Sequence, residues 1–222
     1  MSGSPAGPVA GPTDARQLVA DGYDHIAERY RDWTKPHDPT RSWFVDEVIA
    51  RVPSGSDVVE LGVGSGGTVT EELVAAYRFT GVDISPSQVA LARASHAEGD
   101  FRVADLVTLR LPEASCDAVV AAYVMGNVPI DDREDLYRRI SRWIRPTGWF
   151  CASFPMGDRP GEDIESNWLG TPMFFASMRW ERESKLLEEA SFRVDRAVVI
   201  TDDEDGRPAP FRWVFAQRRS SQ

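Results

Sequence analysis

The run Val58-Val59-Glu60-Leu61-Gly62-Val63-Gly64-Ser65-Gly66-Gly67 constrains this chain more than any other stretch. Two β-branched residues and an acid lead into a glycine turn, and a helix-like segment follows. Glycine lets the backbone take φ > 0 and approach a ligand that a Cβ would hold off. The helix behind the turn aims its free N–H groups at the same spot. That is the shape of a loop for a nucleotide-type cofactor. The loop alone leaves the cofactor open. Gly62-x-Gly64-x-x-Gly67 fits the dinucleotide fingerprint, so an NAD(P)-dependent oxidoreductase stands as one reading until the rest of the chain is read.

With 222 residues the chain is large enough for a sizeable core, and one domain is expected over residues 14–222. Charged residues make up 27% and hydrophobic ones 42%, which points to a soluble, cytoplasmic globular protein. No apolar run approaches the length of a membrane span. The first twelve residues are mostly Gly, Pro, Ser and Ala, with neither a basic n-region nor an apolar h-region. They do not form a signal peptide, and residues 1–13 are expected to be a disordered leader. The formal net charge of −10, without a basic stripe, argues against nucleic acid and against an anionic membrane surface. Cys116 and Cys151 lie in strand-like segments without metal or disulfide spacing, so they are expected to be small core residues and no metal site is expected.

Residues 14–32 read as a helix, with Leu18, Tyr23, Ile26 and Tyr30 at roughly helical spacing, and residues 40–50 as a second. Together, residues 14–52 are expected to form a helical cap. An alternation follows: a strand at 57–61, a helix at 69–77, a strand at 78–82 ending at Asp83, a helix at 86–97 opened by Pro86, and a short strand at 100–104 ending at Asp105. Residues 118–124 form an apolar run expected of a buried parallel strand. A helix at 133–144 is stopped by Pro146-Thr147-Gly148, and a fifth strand spans 149–154. This is a βαβ series, hence an α/β fold with a doubly wound, mostly parallel sheet. After a helix at 181–190, strands at 192–200 and 210–216 have no helix between them and should form an antiparallel hairpin. Residues 155–177 read as a long irregular stretch, and such a loop in a compact domain is usually functional.

Taken in order, these segments resemble the class I S-adenosylmethionine-dependent methyltransferases over roughly residues 20–217. Tyr23-x-x-Ile26-Ala27-x-x-Tyr30 is similar to that family's N-terminal helix, and Glu60-x-Gly62-x-Gly64-x-Gly66 to its first motif. Gly81-Val82-Asp83-Ile84-Ser85 looks like the second strand with its ribose acid. Ala104-Asp105-Leu106 looks like the third strand's end with its adenine-side acid. Cys116 to Val120 looks like the fourth strand, and Leu136 to Gly148 like the next helix and its stop. The resemblance implies a Rossmann-like sheet of seven strands with the last antiparallel. Many relatives carry a His just beyond the fourth strand, where this chain has Asn127. Thr147 stands where Gly is common, a change expected to be harmless.

What the resemblance implies for the site is a cofactor set of Tyr23, Tyr30, Glu60, Gly62, Gly64, Gly66, Asp83, Ile84, Asp105, Leu106 and Ala121 around S-adenosylmethionine, with S-adenosylhomocysteine as product. Asp83 would accept hydrogen bonds from both ribose hydroxyls; the alternative is an acid that caps the helix at Pro86. Glu60 would sit near the methionine amino group, or else brace the glycine-loop amides. Asp105 would take the adenine amino group, with Leu106 and Ile84 flanking the ring, or be a turn residue. The apolar stretch from Asn167 to Phe175, with Trp33 and Trp43, would roof a pocket for a small, partly apolar methyl acceptor; the alternative is ordinary core packing. Its candidate acceptor-binding residues are Trp33, His37, Asn127, Trp168, Met173 and Phe174, within an acceptor-site insertion at 155–180. No catalytic group is assigned; His37 and Asn127 are the candidates, and His25 and His96 read as surface residues. Beside methyl transfer to a small molecule, plausibly a bacterial natural product, stand the oxidoreductase and a non-catalytic S-adenosylmethionine-binding protein. Neither oligomeric state nor the atom methylated is legible.

Overall fold

The first strand, β1 (Asp57–Leu61), is buried along its last four residues, so its side chains meet apolar partners on both faces of a sheet. A computed structural model describes residues 12–34, 39–157, 160–204 and 206–220. In it β1 pairs in parallel with β2 (Arg78–Asp83) and β4 (Cys116–Ala121), while β2 pairs with β3 (Asp100–Val103) and β4 with β5 (Ile144–Pro155). The tail is antiparallel: β9 (Arg207–Arg218) runs against β5, and β8 (Phe192–Glu204) against β9. The seven-stranded order is β3-β2-β1-β4-β5-β9-β8. The order reverses at β1, and its crevice opens there at the strands' carboxyl ends, where ligands bind in open α/β sheets.

Period-two alternation divides each central strand between two cores. On β4, Val119 and Ala121 face one core while Ala118 and Val120 face the other. On β9, Val214 and Ala216 go to the first, Trp213 and Phe215 to the second. Helices α2 (Pro39–Ile49), α3 (Thr68–Ala76) and α4 (Pro86–Ser95) cover the second core through residues such as Phe44, Leu73 and Val89. Helices α5 (Arg133–Trp143) and α6 (Trp180–Glu189) cover the first through Leu136, Ile140 and Leu187. Both cysteines are free and buried. No helix among the described residues is long and apolar enough to cross a membrane.

Three readings of the sequence change. Residues 155–177 are not an irregular loop: β6 (Gly161–Trp168) and β7 (Thr171–Ser177) form a separate antiparallel hairpin. Leu169 and Gly170 turn it, both at positive φ (48° and 90°), the backbone that two-residue hairpins favour. The fourth strand stops at Ala121 rather than 124, because Tyr123 takes φ 59° and turns the chain into the short 3₁₀ segment Met125–Asn127. Thr147 also sits at φ 67°, where a β-branched residue is strained, so its replacement of Gly is not free of cost. The expected leader lies outside the described residues apart from its end, where α1 (Pro12–Thr34) begins.

Candidate active site

A cleft opens at the carboxyl ends of β1, β2 and β4, under α1. Its described walls include Tyr23, Tyr30, Gly62, Gly64, Asp83, Ile84, Asp105 and Leu106, eight of the eleven residues expected around a cofactor. The glycines serve different purposes. Gly62, at φ 74°, has Val124 packed so close that a Cβ would lie 2.5 Å from its methyl; here glycine lets the turn after β4 approach β1. Gly64, at φ 54°, faces the cleft, and a Cβ there would meet only a Tyr30 ring atom at 3.6 Å. That cradle is open to a ligand and would be narrowed by any side chain. Gly66 does not line the cleft; its carbonyl lies 2.9 Å from His96 Nε2, so His96 braces the loop rather than standing on the surface. Ala121 is fully buried in the core, and Ala122, the first residue past the strand, lines the cleft instead.

Asp83 ends β2 with both carboxylate oxygens engaged: Gly64 N–H donates to Oδ2 and Ser85 N–H to Oδ1, each at 2.9 Å. It therefore locks the glycine turn to the second strand. It does not cap α4; Ser85 does, its hydroxyl accepting from Gln88 N–H at 3.1 Å. Burial raises the Asp83 pKa, against the amide bonds from Ser85, Gly64 and Ile84. Each oxygen keeps a lone pair for a further donor. Glu60 does not line this cleft but a small adjoining void, with Arg41, Ser65 and Thr70, that shares Tyr30, Gly62 and Gly64 with the cleft. It takes a hydrogen bond from the Thr70 hydroxyl at 2.8 Å, not from the loop amides. Burial lifts its pKa to about 8, with the Asp83 charge adding to the rise and Thr70 and Arg41 opposing it.

Asp105 is paired with Arg16 of α1 at 2.7 Å and also accepts from Val107 N–H at 2.8 Å. It is at once a turn residue and the latch on which α1 rests. Further along, Asp24 of α1 accepts from the Ser85 hydroxyl and the Ser87 amide at 2.9 and 2.8 Å, which hold its pKa down. Arg29 donates to the Leu169 carbonyl of the hairpin turn. The helix thus spans the cleft with polar ties along its length.

A second cavity, about 480 Å³, adjoins the first. Four residues line both: Tyr23, Tyr30, Tyr123 and Asn127. Tyr23 donates to Asn127 Oδ1 at 3.1 Å, and Asn127 Nδ2 donates to the Phe174 carbonyl at 2.9 Å. Burial pushes the Tyr23 phenol well above its usual range, with Tyr30, Asp83 and Glu204 adding to the rise, and also raises Tyr30. Both phenols are therefore neutral: Tyr23 donates to Asn127, whereas Tyr30 accepts from Arg41. Trp33 and Trp168 line the second cavity as expected of an acceptor wall. Met173 and Phe174 do not. They are buried against Ala15, Val19 and Ile26 of α1, because the hairpin lays this segment under the helix; Phe175 takes the lining place. Trp43 packs on Trp213 and Phe215 in the second core. His25 is exposed, and His37 lies outside the described residues.

The sequence reading missed Tyr123, Arg41 and Arg16. Tyr123 was hidden inside an apolar run; its φ of 59° marks it out only in the structure. Its amide donates to Ser153 Oγ at 2.7 Å and its hydroxyl to Asp202 at 2.8 Å. Arg41 stacks 4.5 Å over its ring.

A family model for a methyltransferase domain matches residues 59–152. The chain is 30% identical over 172 residues to a probable S-adenosylmethionine-dependent methyltransferase of Mycolicibacterium smegmatis, covering 76% of this chain and 62% of that protein. It is 28% identical over 141 residues to the trans-aconitate 2-methyltransferase of Escherichia coli, covering 61% and 51%. The chain thus spans about half to three-fifths of the length of these curated relatives. Among solved structures it resembles the Burkholderia thailandensis 1,6-didemethyltoxoflavin-N1-methyltransferase, bound to that acceptor and S-adenosylhomocysteine. The TM-score is 0.74 at 19% identity, covering 97% of this chain and 93% of that one.

Proposed function

We propose that the chain is a class I S-adenosylmethionine-dependent methyltransferase that transfers a methyl group from S-adenosylmethionine to a small, partly apolar molecule, a reading supported by the family model over residues 59–152 and by the Mycolicibacterium smegmatis relative. The observation that carries this is the junction: Tyr23, Tyr30, Tyr123 and Asn127 line both the cleft under the glycine turn and the larger cavity beside it. A donor in one and an acceptor in the other would meet at these four residues. The residues fit the cofactor. Gly64 leaves an open cradle, Asp83 keeps lone pairs for ribose hydroxyls, and Ile84 and Leu106 offer apolar flanks beside Asp105.

When bound, S-adenosylmethionine supplies an electrophilic methyl group. The chain's own part is to hold and orient. Asp83 fixes the glycine turn, Asn127 fixes the Tyr23 hydroxyl, and α1 shields the junction from water, so that proximity and alignment supply the rate. No residue is assigned as a base. Two cysteines kept as buried thiols accord with a cytoplasmic setting. A natural-product tailoring step accords with the Burkholderia neighbour, whose bound acceptor is 1,6-didemethyltoxoflavin.

Calorimetry tests the reading. S-adenosylmethionine and S-adenosylhomocysteine should both bind, with no comparable heat from NAD or NADP. Tight NAD binding with no response to S-adenosylmethionine would return the glycine loop to the oxidoreductase reading.

A further inference from the structure

The larger cavity has two aromatic walls carried on different elements. Trp168, at the end of β6, is the hub of one. Its ring centroid lies 5.8 Å from Tyr30, 6.0 Å from Trp33 and 5.5 Å from Phe175. The other wall is Tyr123, just past β4, and Phe211 on β9, with centroids 4.8 Å apart and planes at 76°. All these rings line one cavity, yet among the described residues no ring contact joins the two walls. The space between them is bounded by aromatic rings on both sides, with Arg41 stacked 4.5 Å over the Tyr123 ring on the second wall.

Charge narrows the choice of occupant. The described charged residues lining this space are Arg41, Arg207, Glu165 and Glu204, two of each sign. A polyanion entering it would find no surplus of cations, and the face of an aromatic ring is itself negative. A flat, uncharged ring finds offset-stacked and edge-to-face partners on both walls. We propose that the methyl acceptor is a planar aromatic or heteroaromatic molecule without net charge, held between the Trp168 wall and the Tyr123–Phe211 wall. The proposal rests on the methyl-transfer reading and adds the acceptor's class to it.

Two probes separate flatness from hydrophobicity: 2-naphthol and decahydro-2-naphthol, which share a skeleton while only the first is planar. Binding to the full chain saturated with S-adenosylhomocysteine is measured by calorimetry. The planar compound should bind at least tenfold more tightly, although the saturated one is the more hydrophobic. Trp168→Leu and Phe175→Leu should each erase that preference and leave S-adenosylhomocysteine affinity within twofold of wild type. Phe175→Leu carries the test if the tryptophan variant does not fold. Equal or reversed preference overturns the proposal, as does absence of naphthol binding or tighter binding of propane-1,2,3-tricarboxylate. Each of those results leaves the methyl-transfer reading standing. Failure to bind S-adenosylhomocysteine at all overturns that reading and this proposal with it.

Discussion

Glu60 is a buried acid whose pKa is raised from 4.5 to about 8, which sets the sign of a pH effect. Between those values the unfolded chain has lost the proton and the folded chain keeps it. The folded state then binds more protons, so the unfolding free energy falls as pH rises through that window. The whole effect is at most about 4–5 kcal/mol. Glu60→Gln keeps an acceptor for Thr70 and removes the titration. In urea unfolding at about pH 5 and about pH 8.5, the variant should lose less stability than wild type on going up; equal losses would mean that Glu60 is already ionised in the folded chain. Asp83 carries a second prediction. Asp83→Asn leaves one oxygen for two backbone donors and turns an NH₂ toward the other, so both the glycine turn and the proposed ribose contact weaken. Hydrogen bonds to a charged group contribute about 1.5–3 kcal/mol, hence a roughly ten- to hundred-fold loss of affinity. The loss should be similar for S-adenosylmethionine and S-adenosylhomocysteine, which share the ribose and differ at the sulfur. Calorimetry showing both within twofold of wild type, or only the charged ligand weakened, would remove the ribose assignment. Asp83 and the glycine turn were legible because their spacing is local. Tyr123 was not, because its role comes from a positive φ and from partners at Ser153 and Asp202, which no local pattern records.

The β6–β7 hairpin makes no ladder bonds to the main sheet, so side chains must hold it. Arg133 of α5 is one such tie, beside Asn127 to the Phe174 carbonyl and Arg29 to the Leu169 carbonyl. Fully buried, it donates to the carbonyls of Met125 at 2.6 Å and Val128 at 3.2 Å, to Ala176 of β7 at 3.0 Å, and to Glu183 of α6 at 2.7 Å. Glu183, also buried, accepts from Tyr137 as well. One guanidinium thus sets the Met125–Asn127 turn against the hairpin that carries Trp168. Arg133→Met alone strands a buried carboxylate and should cost about 3–5 kcal/mol in urea unfolding. Arg133→Met with Glu183→Leu removes both charges and should recover part of that loss. The double variant still lacks the bonds to Met125 and Ala176, so the KM for an acceptor should rise several-fold while S-adenosylhomocysteine affinity holds. Full recovery of stability with an unchanged acceptor KM would show that packing alone seats the hairpin. The hairpin escaped the sequence reading for a physical reason. Apart from half-buried Trp168, β6 is exposed along its length, so it shows no alternation, and Gly170 and Pro172 read as loop residues.

At the scale of the whole molecule, the sheet was legible because its central strands are buried on both faces and spaced by amphipathic helices. The relation of α1 to that sheet was not, since its ties to Asp105, Ser85 and Leu169 join residues far apart in sequence. Those ties make the cleft a seam between α1 and the sheet, and a ligand filling it must join the two. A ligand that binds only the folded state stabilises it by RT ln(1 + [L]/Kd), about 2.7 kcal/mol at a hundredfold excess over Kd. For a chain of 222 residues each kcal/mol moves the midpoint by roughly 2–4 °C. S-adenosylhomocysteine at that excess should therefore raise the melting midpoint by roughly 5–11 °C, and NAD at the same concentration should leave it unmoved. Because the seam includes α1, the same addition should slow proteolytic cleavage within residues 12–34 in parallel with the thermal shift. A full thermal shift with α1 cleaved as fast as in the free protein would place the ligand against the sheet alone. The helix would then be a cover that the cofactor does not touch, and Tyr23 and Tyr30 would belong to the acceptor side of the junction only.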